Sequence, residues 1–268
     1  MRSRNQNKQL TYQPLQPIFP LKPSVLLFDI DGVIRDVAGS YRRALQETVQ
    51  HYCGWRPTPS DIDALKSEGL WNNDWDASLE LLRRRGATLP ARNDLVDVFS
   101  SHYFGGDPEG DPASWMGFIG DEPLLVDQTF FEELTRHHIR WGFVSGAEPT
   151  SARYVLQQRL GLSDPPLIAM GDAPDKPDPS GLIRLAERLT AGEAPRWIAY
   201  IGDTVADVQT VLNARERRPE LPWRSLAVAP PHITDVSAYH RQLQEAGADC
   251  IVGATRELIP VLLDGLTP

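Results

Sequence analysis

Six short apolar runs, most of them separated by chain with helical patterning, constrain the fold more than any other feature of the sequence. They are SVLLF (24–28), IRWGFVS (139–145), PLIAMG (166–171), WIAYIG (197–202), RSLAVA (224–229) and ADCIVG (248–253). Continuous runs rich in β-branched and aromatic residues are typical of strands buried on both faces. Helices are predicted between most of them, at 128–138, 149–160, 180–190, 205–215, 236–246 and 255–264. Strand followed by helix, repeated, predicts an α/β domain built on a parallel sheet.

One long gap interrupts this rhythm directly after the first run. Its helical patterns lie at 41–52, 59–68, 75–85 and, more briefly, near 93–102. Ser60 and Asp61 are the candidate N-caps of the second helix. The stretch FGGDPEGDPAS that follows has the Gly, Pro and Asp content of a linker. We therefore predict an α/β core formed by 23–36 and 116–268, with a helical insertion at 37–115.

Residues 1–22 precede the first run and differ from it in composition. They are basic, rich in Gln and Pro, and contain no acidic residue. A segment of this kind buries too little apolar surface to order itself, which predicts a flexible N-terminal tail. It also lacks the apolar stretch of a secretory signal.

Composition narrows the classes of partner. The chain has 27 Lys and Arg against 36 Asp and Glu, a formal net charge of -9, which disfavours binding to nucleic-acid backbones. No run approaches the roughly 20 apolar residues that span a bilayer, so no membrane association is expected. Two cysteines, Cys53 and Cys250, are too few and too far apart for a disulfide framework or a thiolate zinc site. We expect a cytoplasmic protein, and the sequence leaves its oligomeric state open.

Two carboxylates follow the first run, in FDIDGV. Asp29 and Asp31 lie at the carboxyl end of a predicted strand, where open α/β sheets bind their ligands. Two such charges at a poorly solvated edge favour a hard cation with oxygen ligands. Two further Asp-x-Asp pairs lie among helical patterns, where we interpret them as caps or solvated faces: Asp61/Asp63 and Asp74/Asp76.

A second acidic motif follows the fourth run, in YIGDTVAD. Asp203 ends the strand, and Asp207 falls in the first turn of the next helix, where the helix dipole favours a carboxylate. Gly171-Asp172 is a competing candidate because it also follows an apolar run. The longer strand before Asp203 and the helix directly after it favour Asp203.

Two further polar positions follow the second and third runs. Ser145, with Gly146 and a helix N-terminus behind it, could hold an anion, although a polar turn is the alternative interpretation. Its spacing does not match the G-x-S-x-G of serine hydrolases. Lys176, between Asp175 and Pro177, could neutralise a phosphate group, although most single lysines are solvated surface residues.

Taken in order, these positions resemble the four motifs of the haloacid dehalogenase superfamily. Asp-x-Asp-Gly follows the first strand, Ser the second, Lys-Pro the third and Gly-Asp-x-x-x-Asp the fourth. The resemblance covers essentially all of the chain beyond residue 23. The helical insertion resembles the type 1 cap of subfamily I, the phosphoglycolate phosphatase-like group. The resemblance therefore implies a Rossmann-like parallel-sheet core with an inserted all-helical cap domain.

The resemblance also implies catalytic and metal-binding roles. Asp29 matches the nucleophile that forms an aspartyl-phosphate. Asp31 matches the general acid/base that protonates the leaving oxygen and then activates water. Mg²⁺ would be held by Asp29, by the backbone carbonyl of Asp31 and by Asp203.

The remaining motif residues match the phosphate-binding groups. Ser145, the backbone of Gly146 and Lys176 would hold the phosphoryl oxygens, and Asp207 would support Lys176 or the metal from behind. Many relatives carry Asn where this chain has Gly146, so one side-chain contact is lost. Asp175 stands where Gly often precedes the lysine.

The implied function is a Mg²⁺-dependent phosphatase acting on a small phosphorylated metabolite. Asp31 favours this reaction, because the dehalogenase and phosphonatase branches lack a carboxylate at that position. A phosphomutase and a non-catalytic binding or regulatory protein on the same scaffold are the alternatives.

Substrate selectivity is expected from the helical insertion, whose most distinctive stretch is EGLWNNDWDASLELLRRRG. Asn72, Asn73 and Asp74 are the candidate substrate-contacting residues, in a lining suited to a cationic or hydroxylated leaving group. The resemblance is closest to a branch with some members linked to histidine biosynthesis. Histidinol phosphate, phosphoglycolate and sugar phosphates are therefore the candidate substrates.

Overall fold

The protein is built on one six-stranded parallel sheet. The computed structural model describes residues 23–66, 68, 70–71 and 73–265, the side chains of 264 and 265 excepted. The strands are β1 (Ser24–Phe28), β2 (Ile139–Val144), β3 (Leu167–Ile168), β4 (Trp197–Gly202), β5 (Trp223–Val228) and β6 (Cys250–Val252). All six predicted strands are present, and the predicted Rossmann-like parallel sheet is confirmed. The predicted N-terminal tail, 1–22, lies outside the described residues.

The strand order places the first strand at the centre of the sheet. The order is β3-β2-β1-β4-β5-β6, and every pairing is parallel. Phe28, the last residue of β1, pairs with Phe143 on one side and with Ile201 on the other. The carboxyl ends of β1, β2 and β4 therefore meet at one edge of the sheet, where the predicted motifs begin.

Helices cover both faces of the sheet, as right-handed crossovers require. After the helical insertion come α5 (Gln128–Arg136), α6 (Pro149–Arg153), α7 (Ser180–Thr190), α8 (Val205–Arg217), α9 (Val236–Glu245) and α10 (Leu258–Gly265). The central strand is buried on both faces. Leu26 and Phe28 join the apolar cluster that includes Phe131 of α5, whereas Val25 and Leu27 join the one that includes Leu182 of α7.

Several predicted elements differ from the structure in length, among them β6, which has three residues instead of the six predicted. β3 has two residues instead of the six predicted, and the chain turns at Gly171, whose φ is +84°. The predicted helix 149–160 is α-helical for one turn only and continues as a π-helical turn over Tyr154–Arg159. Apolar patterning does not distinguish these hydrogen-bonding arrangements.

The chain between β1 and α5 forms the predicted all-helical insertion. Its helices are α1 (Tyr41–Cys53), α2 (Pro59–Lys66), α3 (Asp74–Arg84) and α4 (Arg92–Tyr103). They enclose an apolar cluster separate from those of the sheet, with Leu45, Leu82 and Phe99 at its centre. Trp115 and Ile119 also pack in this cluster, so the apolar contacts of the insertion continue past residue 115.

The predicted N-cap of the second helix is wrong by two residues. α2 begins at Pro59, and the Thr58 hydroxyl accepts a hydrogen bond from the Asp61 backbone N–H at 3.2 Å. The Asp61 carboxylate in turn accepts from the Thr58 backbone N–H at 2.7 Å. Thr58 is therefore the cap, and Asp61 is the reciprocal partner in a capping-box arrangement.

Within the described ranges, no helix combines the length and apolar character needed to cross a lipid bilayer.

Candidate active site

The carboxyl edge of the sheet brings together residues from four loops. Asp29 follows β1, Ser145 follows β2, Lys176 lies between β3 and α7, and Asp203 follows β4. Because β2, β1 and β4 are neighbours in the sheet, side chains at their ends converge. The sequence motifs therefore lie in one place.

Asp29 is a buried carboxylate of this edge. Its side chain is 7% exposed, and Oδ2 lies 3.0 Å from the Lys176 ammonium. Burial raises the pKa of Asp29 to about 6. Lys176 opposes this rise, whereas Asp207 and Asp31 add to it. Oδ1 is buried without a hydrogen-bond partner among the described residues. Such an atom costs free energy unless a ligand satisfies it.

Lys176 lies between two carboxylates. Its ammonium is 2.5 Å from Asp207 Oδ1 and 3.0 Å from Asp29 Oδ2. Burial lowers the pKa of Lys176, but Asp207 and Asp29 outweigh it, so the pKa lies well above its usual value. The lysine is therefore a permanent positive charge held against Asp29.

Asp207 holds Lys176 from behind and begins α8. Thr204 and Asp207 form a capping box, in which Asp207 Oδ2 accepts from the Thr204 backbone N–H at 2.9 Å and from its hydroxyl at 2.6 Å. Burial alone would raise the pKa of Asp207. Lys176 and Thr204 together have the larger, opposite effect, so the pKa of Asp207 lies below its usual value. Both carboxylate oxygens thus have protein partners.

Tyr200 is a component of this site that the sequence did not reveal. It lies fully buried in β4, and its hydroxyl is 3.2 Å from Lys176 Nζ, 3.0 Å from Asp207 Oδ1 and 2.9 Å from the Val144 carbonyl. An aromatic residue in WIAYIG is expected in any buried strand. That its hydroxyl contacts Lys176 becomes visible only in the folded structure, where the loop that carries the lysine packs against β4.

Three carboxylates are close enough to share a cation. One oxygen each from Asp29, Asp203 and Asp207 lie within 4.8 Å of one another. Burial, with Asp207 and Asp29 adding, raises the pKa of Asp203 well above its usual range. Because both oxygens of Asp207 already accept hydrogen bonds, Asp29 and Asp203 are the carboxylates with free capacity. A hard cation fits this donor set.

Gly32 allows Asp203 to approach the loop after β1. Its φ is +74°, and a Cβ at this position would overlap the Asp203 carboxylate. Any other residue would therefore strain the turn and displace Asp203. The glycine of FDIDGV is thus needed for the carboxylates to meet.

Asp31 is more accessible than Asp29 and Asp207. Its side chain is 30% exposed, and Oδ1 accepts a hydrogen bond from Arg35 Nε at 2.7 Å. It is absent from the three-carboxylate cluster. Its other carboxylate oxygen, Oδ2, has no hydrogen bond among those described for this part of the chain.

Ser145 and Gly146 form the turn after β2. The Ser145 hydroxyl accepts from the Ala147 backbone N–H at 3.2 Å and hydrogen-bonds Asp29, which lowers the pKa of that carboxyl in part. Ser145 is buried, whereas Gly146 is exposed and has open space around its Cα. The turn can therefore receive a group beside Asp29.

The competing Gly171-Asp172 motif has a structural role. The Asp172 carboxylate accepts from the Ala169 backbone N–H at 2.9 Å and so closes the turn after β3. Asp172 does not belong to the carboxylate cluster. Asp203, in contrast, lies in that cluster.

The predicted substrate-contacting residues of the helical insertion have partners within it. The Asn73 side chain caps α3 by accepting from the backbone N–H groups of Trp75 and Asp76. Asp74 pairs with Lys66 at 2.6 Å. Asn72 lies outside the described residues. These contacts supply a structural reason for Asn73 and Asp74, and their contact with substrate stays a prediction.

A sequence model for haloacid dehalogenase-like hydrolases matches residues 23–215, which include every motif residue described above. The chain belongs to this family. It is therefore a hydrolase of the haloacid dehalogenase type, and the expectation drawn from the four ordered motifs is confirmed at the level of the family.

Individual relatives of this haloacid dehalogenase-like hydrolase are distant. An imidazoleglycerol-phosphate dehydratase from Phytophthora nicotianae is 30% identical over 188 residues, which are 68% of this chain and 40% of that protein. The match thus spans two fifths of the relative's length.

Solved structures share the fold at low identity. Phosphatase Tt82 from Thermococcus thioreducens superposes with a TM-score of 0.59 and 20% identity, over 82% of this chain and 99% of that one. A phosphonoacetaldehyde hydrolase-like protein from Oleispira antarctica superposes with a TM-score of 0.63 and 16% identity, over 94% of this chain and 96% of that one. A hydrolase from Pseudomonas syringae superposes with a TM-score of 0.62 and 16% identity, over 91% of this chain and 100% of that one.

Proposed function

We propose that this protein is a Mg²⁺-dependent phosphatase that hydrolyses a small phosphate monoester through an aspartyl-phosphate on Asp29. One observation carries the proposal. Asp29 has one carboxylate oxygen against the Lys176 ammonium and the other buried without a partner, beside Asp203. A nucleophile between a fixed cation and a cation-binding carboxylate suits attack on a dianionic phosphate.

Asp29 supplies the nucleophilic oxygen. It attacks phosphorus, the bond from phosphorus to the ester oxygen breaks, and the phosphoryl group is carried as a mixed anhydride on Asp29. Lys176 and the turn at Ser145 and Gly146 hold the phosphoryl oxygens and neutralise their charge. Asp207 and Tyr200 keep the lysine ammonium in place for this contact.

Mg²⁺ would be held by Asp29, Asp203 and the backbone carbonyl of Asp31. A cation held there would supply positive charge that neutralises the phosphoryl group. The unpartnered Asp29 Oδ1 and the burial of Asp203 among other carboxylates, which raises the pKa of Asp203, fit a site that binds a cation.

Asp31 moves the protons in this scheme. It protonates the departing ester oxygen in the first step. In the second, as a carboxylate, it takes a proton from the water that attacks phosphorus, while the bond from phosphorus to the Asp29 oxygen breaks and phosphate leaves. Its partial exposure suits a group that meets both substrate and water.

The helical insertion is the cap of this enzyme in the proposal, with the core at 23–36 and 116–268 and the insertion at 37–115. Closure over the sheet edge would exclude water and select the leaving group. The Phytophthora relative is named for an imidazole-bearing phosphate ester. Histidinol phosphate therefore belongs in a substrate panel beside phosphoglycolate and sugar phosphates.

Hydrolysis of p-nitrophenyl phosphate by the purified protein tests the reaction class. We expect turnover with Mg²⁺, loss of turnover with EDTA, and loss of at least about a thousandfold in kcat for Asp29→Asn. Asp172→Asn, which removes a charge at the competing motif, is the matched control and keeps its activity. Activity that survives Asp29→Asn would overturn the proposal. Transfer of the phosphoryl group to a second hydroxyl compound without release of phosphate would identify a mutase instead.

A further inference from the structure

A fully buried arginine lies where the loop after β1 leads into the helical insertion. Arg35 is 0% exposed, and its apolar neighbours Val33 and Ile34 are equally buried. The Gly32 backbone N–H donates to the Arg35 carbonyl at 2.8 Å, which folds Arg35 back beside Asp31. The guanidinium therefore lies behind the carboxylate that we assign to proton transfer.

The Arg35 guanidinium donates four hydrogen bonds to four different side chains. Nε donates to Asp31 Oδ1 at 2.7 Å, and Nη2 donates to the Ser151 hydroxyl at 2.9 Å. Nη1 donates to Glu122 Oε2 at 2.9 Å and to the Tyr103 hydroxyl at 3.0 Å. A guanidinium has five N–H groups in a rigid plane, so these contacts fix its orientation almost completely.

The hydrogen-bond network of Arg35 reaches both connections between the core and the helical insertion, the outgoing one through Glu122. Ser40, directly before α1, donates its hydroxyl to Glu122 Oε1 at 2.5 Å. Glu122 lies on the returning connection, and Tyr103 ends α4. Ser151 belongs to α6, which follows the Ser145 turn. A single side chain thus links Asp31 to the outgoing connection, the returning connection and the phosphate-side loop.

Stability alone does not require an arginine at this position. Removing the charges of Arg35, Asp31 and Glu122 from water is costly, and apolar replacements of buried ion pairs are often neutral or stabilising. The arginine instead fixes orientation, because its planar guanidinium holds the carboxylates that accept from it at defined angles.

We propose that Arg35 is a positioning residue that fixes the Asp31 carboxylate and ties its orientation to the junction with the helical insertion. The inference rests on the proposed role of Asp31 as general acid/base. Arg35 occupies Oδ1, so Oδ2 is the oxygen that gives its proton to the leaving group and later takes one from water. Tyr103 and Glu122 hold the far side of the guanidinium and so act on Asp31 through it.

The leaving-group dependence of kcat/KM distinguishes positioning from a general structural role. kcat/KM covers the steps up to the aspartyl-phosphate, and phenolate needs a proton from Asp31 more than p-nitrophenolate does. We expect Arg35→Met to lower kcat/KM about 100-fold for phenyl phosphate. The loss for p-nitrophenyl phosphate is expected to stay below about tenfold. The kcat/KM of Arg35→Lys for phenyl phosphate should lie between those of wild type and Arg35→Met, because an ammonium keeps the charge but lacks the planar array of N–H donors.

Arg159 supplies a matched control at the same junction. It donates to the backbone carbonyl of Glu122 at 2.6 Å rather than to a side chain of the network. Arg159→Met removes an arginine that contacts the returning connection from the π-helical turn after α6, without touching Asp31. It should lower kcat/KM for the two substrates by the same factor.

Asp31→Asn separates this inference from the proposed function. If Asp31→Asn hydrolyses phenyl phosphate as well as wild type does, the acid/base assignment itself is overturned. If Asp31→Asn is selective as expected, Arg35→Met added to it should change the ratio of the two kcat/KM values less than about threefold.

Two results would overturn the positioning role while leaving Asp31 in place. One is an equal loss for both substrates in Arg35→Met. The other is full additivity of Arg35→Met with Asp31→Asn. Near-UV circular dichroism checks that each variant is folded. If Arg35→Met is unfolded, Arg35→Lys decides, and an equal loss for both substrates in that variant overturns the inference.

Discussion

At the scale of single residues, the site is organised by charge compensation in a buried setting. Lys176 is shared by Asp29 and Asp207, and the two carboxylates keep the lysine charged although it is buried. Asp207 is saturated by Lys176, Tyr200 and Thr204, whereas Asp29 keeps one free oxygen. The uneven distribution of partners separates the supporting carboxylate from the proposed nucleophile.

Removing the Tyr200 hydroxyl tests this residue-scale arrangement. Tyr200→Phe leaves the Val144 carbonyl, Asp207 and Lys176 each without one buried partner. The free energy of unfolding, measured with urea, should fall by about 1–3 kcal/mol, and kcat should fall because the ammonium loses one of its supports.

Tyr52→Phe is the matched control for this substitution. The Tyr52 hydroxyl donates to the Asp94 carbonyl on the exposed surface of the helical insertion. Its removal should change stability by less than about 0.5 kcal/mol and leave kcat unchanged. Equal effects of the two tyrosine substitutions would show that Tyr200 has no special part in the site.

The sequence located the motif residues of the site better than the side chains that support them. Asp29, Ser145, Lys176 and Asp203 each follow a strand whose apolar run is visible, so their convergence was predictable. Tyr200 and Arg35 were missed because their side chains lie in patterns that look like core, and their polar atoms find partners only after folding. The cap of α2 was misplaced for a related reason, since Thr58 and Asp61 cap it reciprocally from outside and inside the helix.

At the scale of elements, the beginning of α8 joins helix formation to the site. Thr204 and Asp207 satisfy each other's backbone N–H groups, and Asp207 reaches Lys176 with its other oxygen. The helix start therefore fixes the carboxylate that fixes the lysine. Weakening the cap should affect both stability and catalysis.

Two N-cap substitutions separate these effects. Thr204→Ala removes the cap of α8, and Asp127→Ala removes the cap of α5, where Asp127 accepts from the Phe130 backbone N–H. Each should cost about 1 kcal/mol of stability in urea unfolding. Only Thr204→Ala should also lower kcat, because Asp207 is in the site and α5 is not. A loss of kcat in Asp127→Ala as large as in Thr204→Ala would contradict this connection.

Elements were predictable where apolar runs were long and less so where geometry was local. β1 and β4 match their predicted limits, since both are central strands buried on both faces. β3 is an edge strand that pairs over two residues only. Its shortness follows from the turn at Gly171, which hydrophobicity does not encode.

At the scale of the whole molecule, the carboxylates at the sheet edge concentrate negative charge that a bound cation would neutralise. The net charge of -9 is spread over the chain, but three carboxylates converge within 4.8 Å at this edge. The helical insertion has an apolar cluster of its own and meets the core through the network around Arg35. Metal binding and the contacts that attach the insertion should therefore contribute separately to the stability of the folded protein.

Metal binding should stabilise the folded protein apart from any turnover. An ion that binds only the folded state adds about 2.7 kcal/mol at 100 times its Kd, so Tm should rise as Mg²⁺ is added and fall back with EDTA. Asp203→Asn should abolish the rise because it removes a ligand with free capacity. Asp172→Asn, outside the cluster, should keep it. A full Mg²⁺-dependent rise in Asp203→Asn would contradict the proposed ligand set.

The central claim is that the phosphoryl group passes through Asp29, and an acid-quenched reaction tests it most directly. Asp31→Asn should still accept the group from p-nitrophenyl phosphate, which needs little protonation, but should release it slowly because the general base is missing. We therefore predict that peptide mass spectrometry of the quenched Asp31→Asn protein finds one phosphoryl group on Asp29. The Asp29→Asn protein should show none. A phosphoryl group on another residue, or steady turnover with none attached to Asp29, would contradict the account.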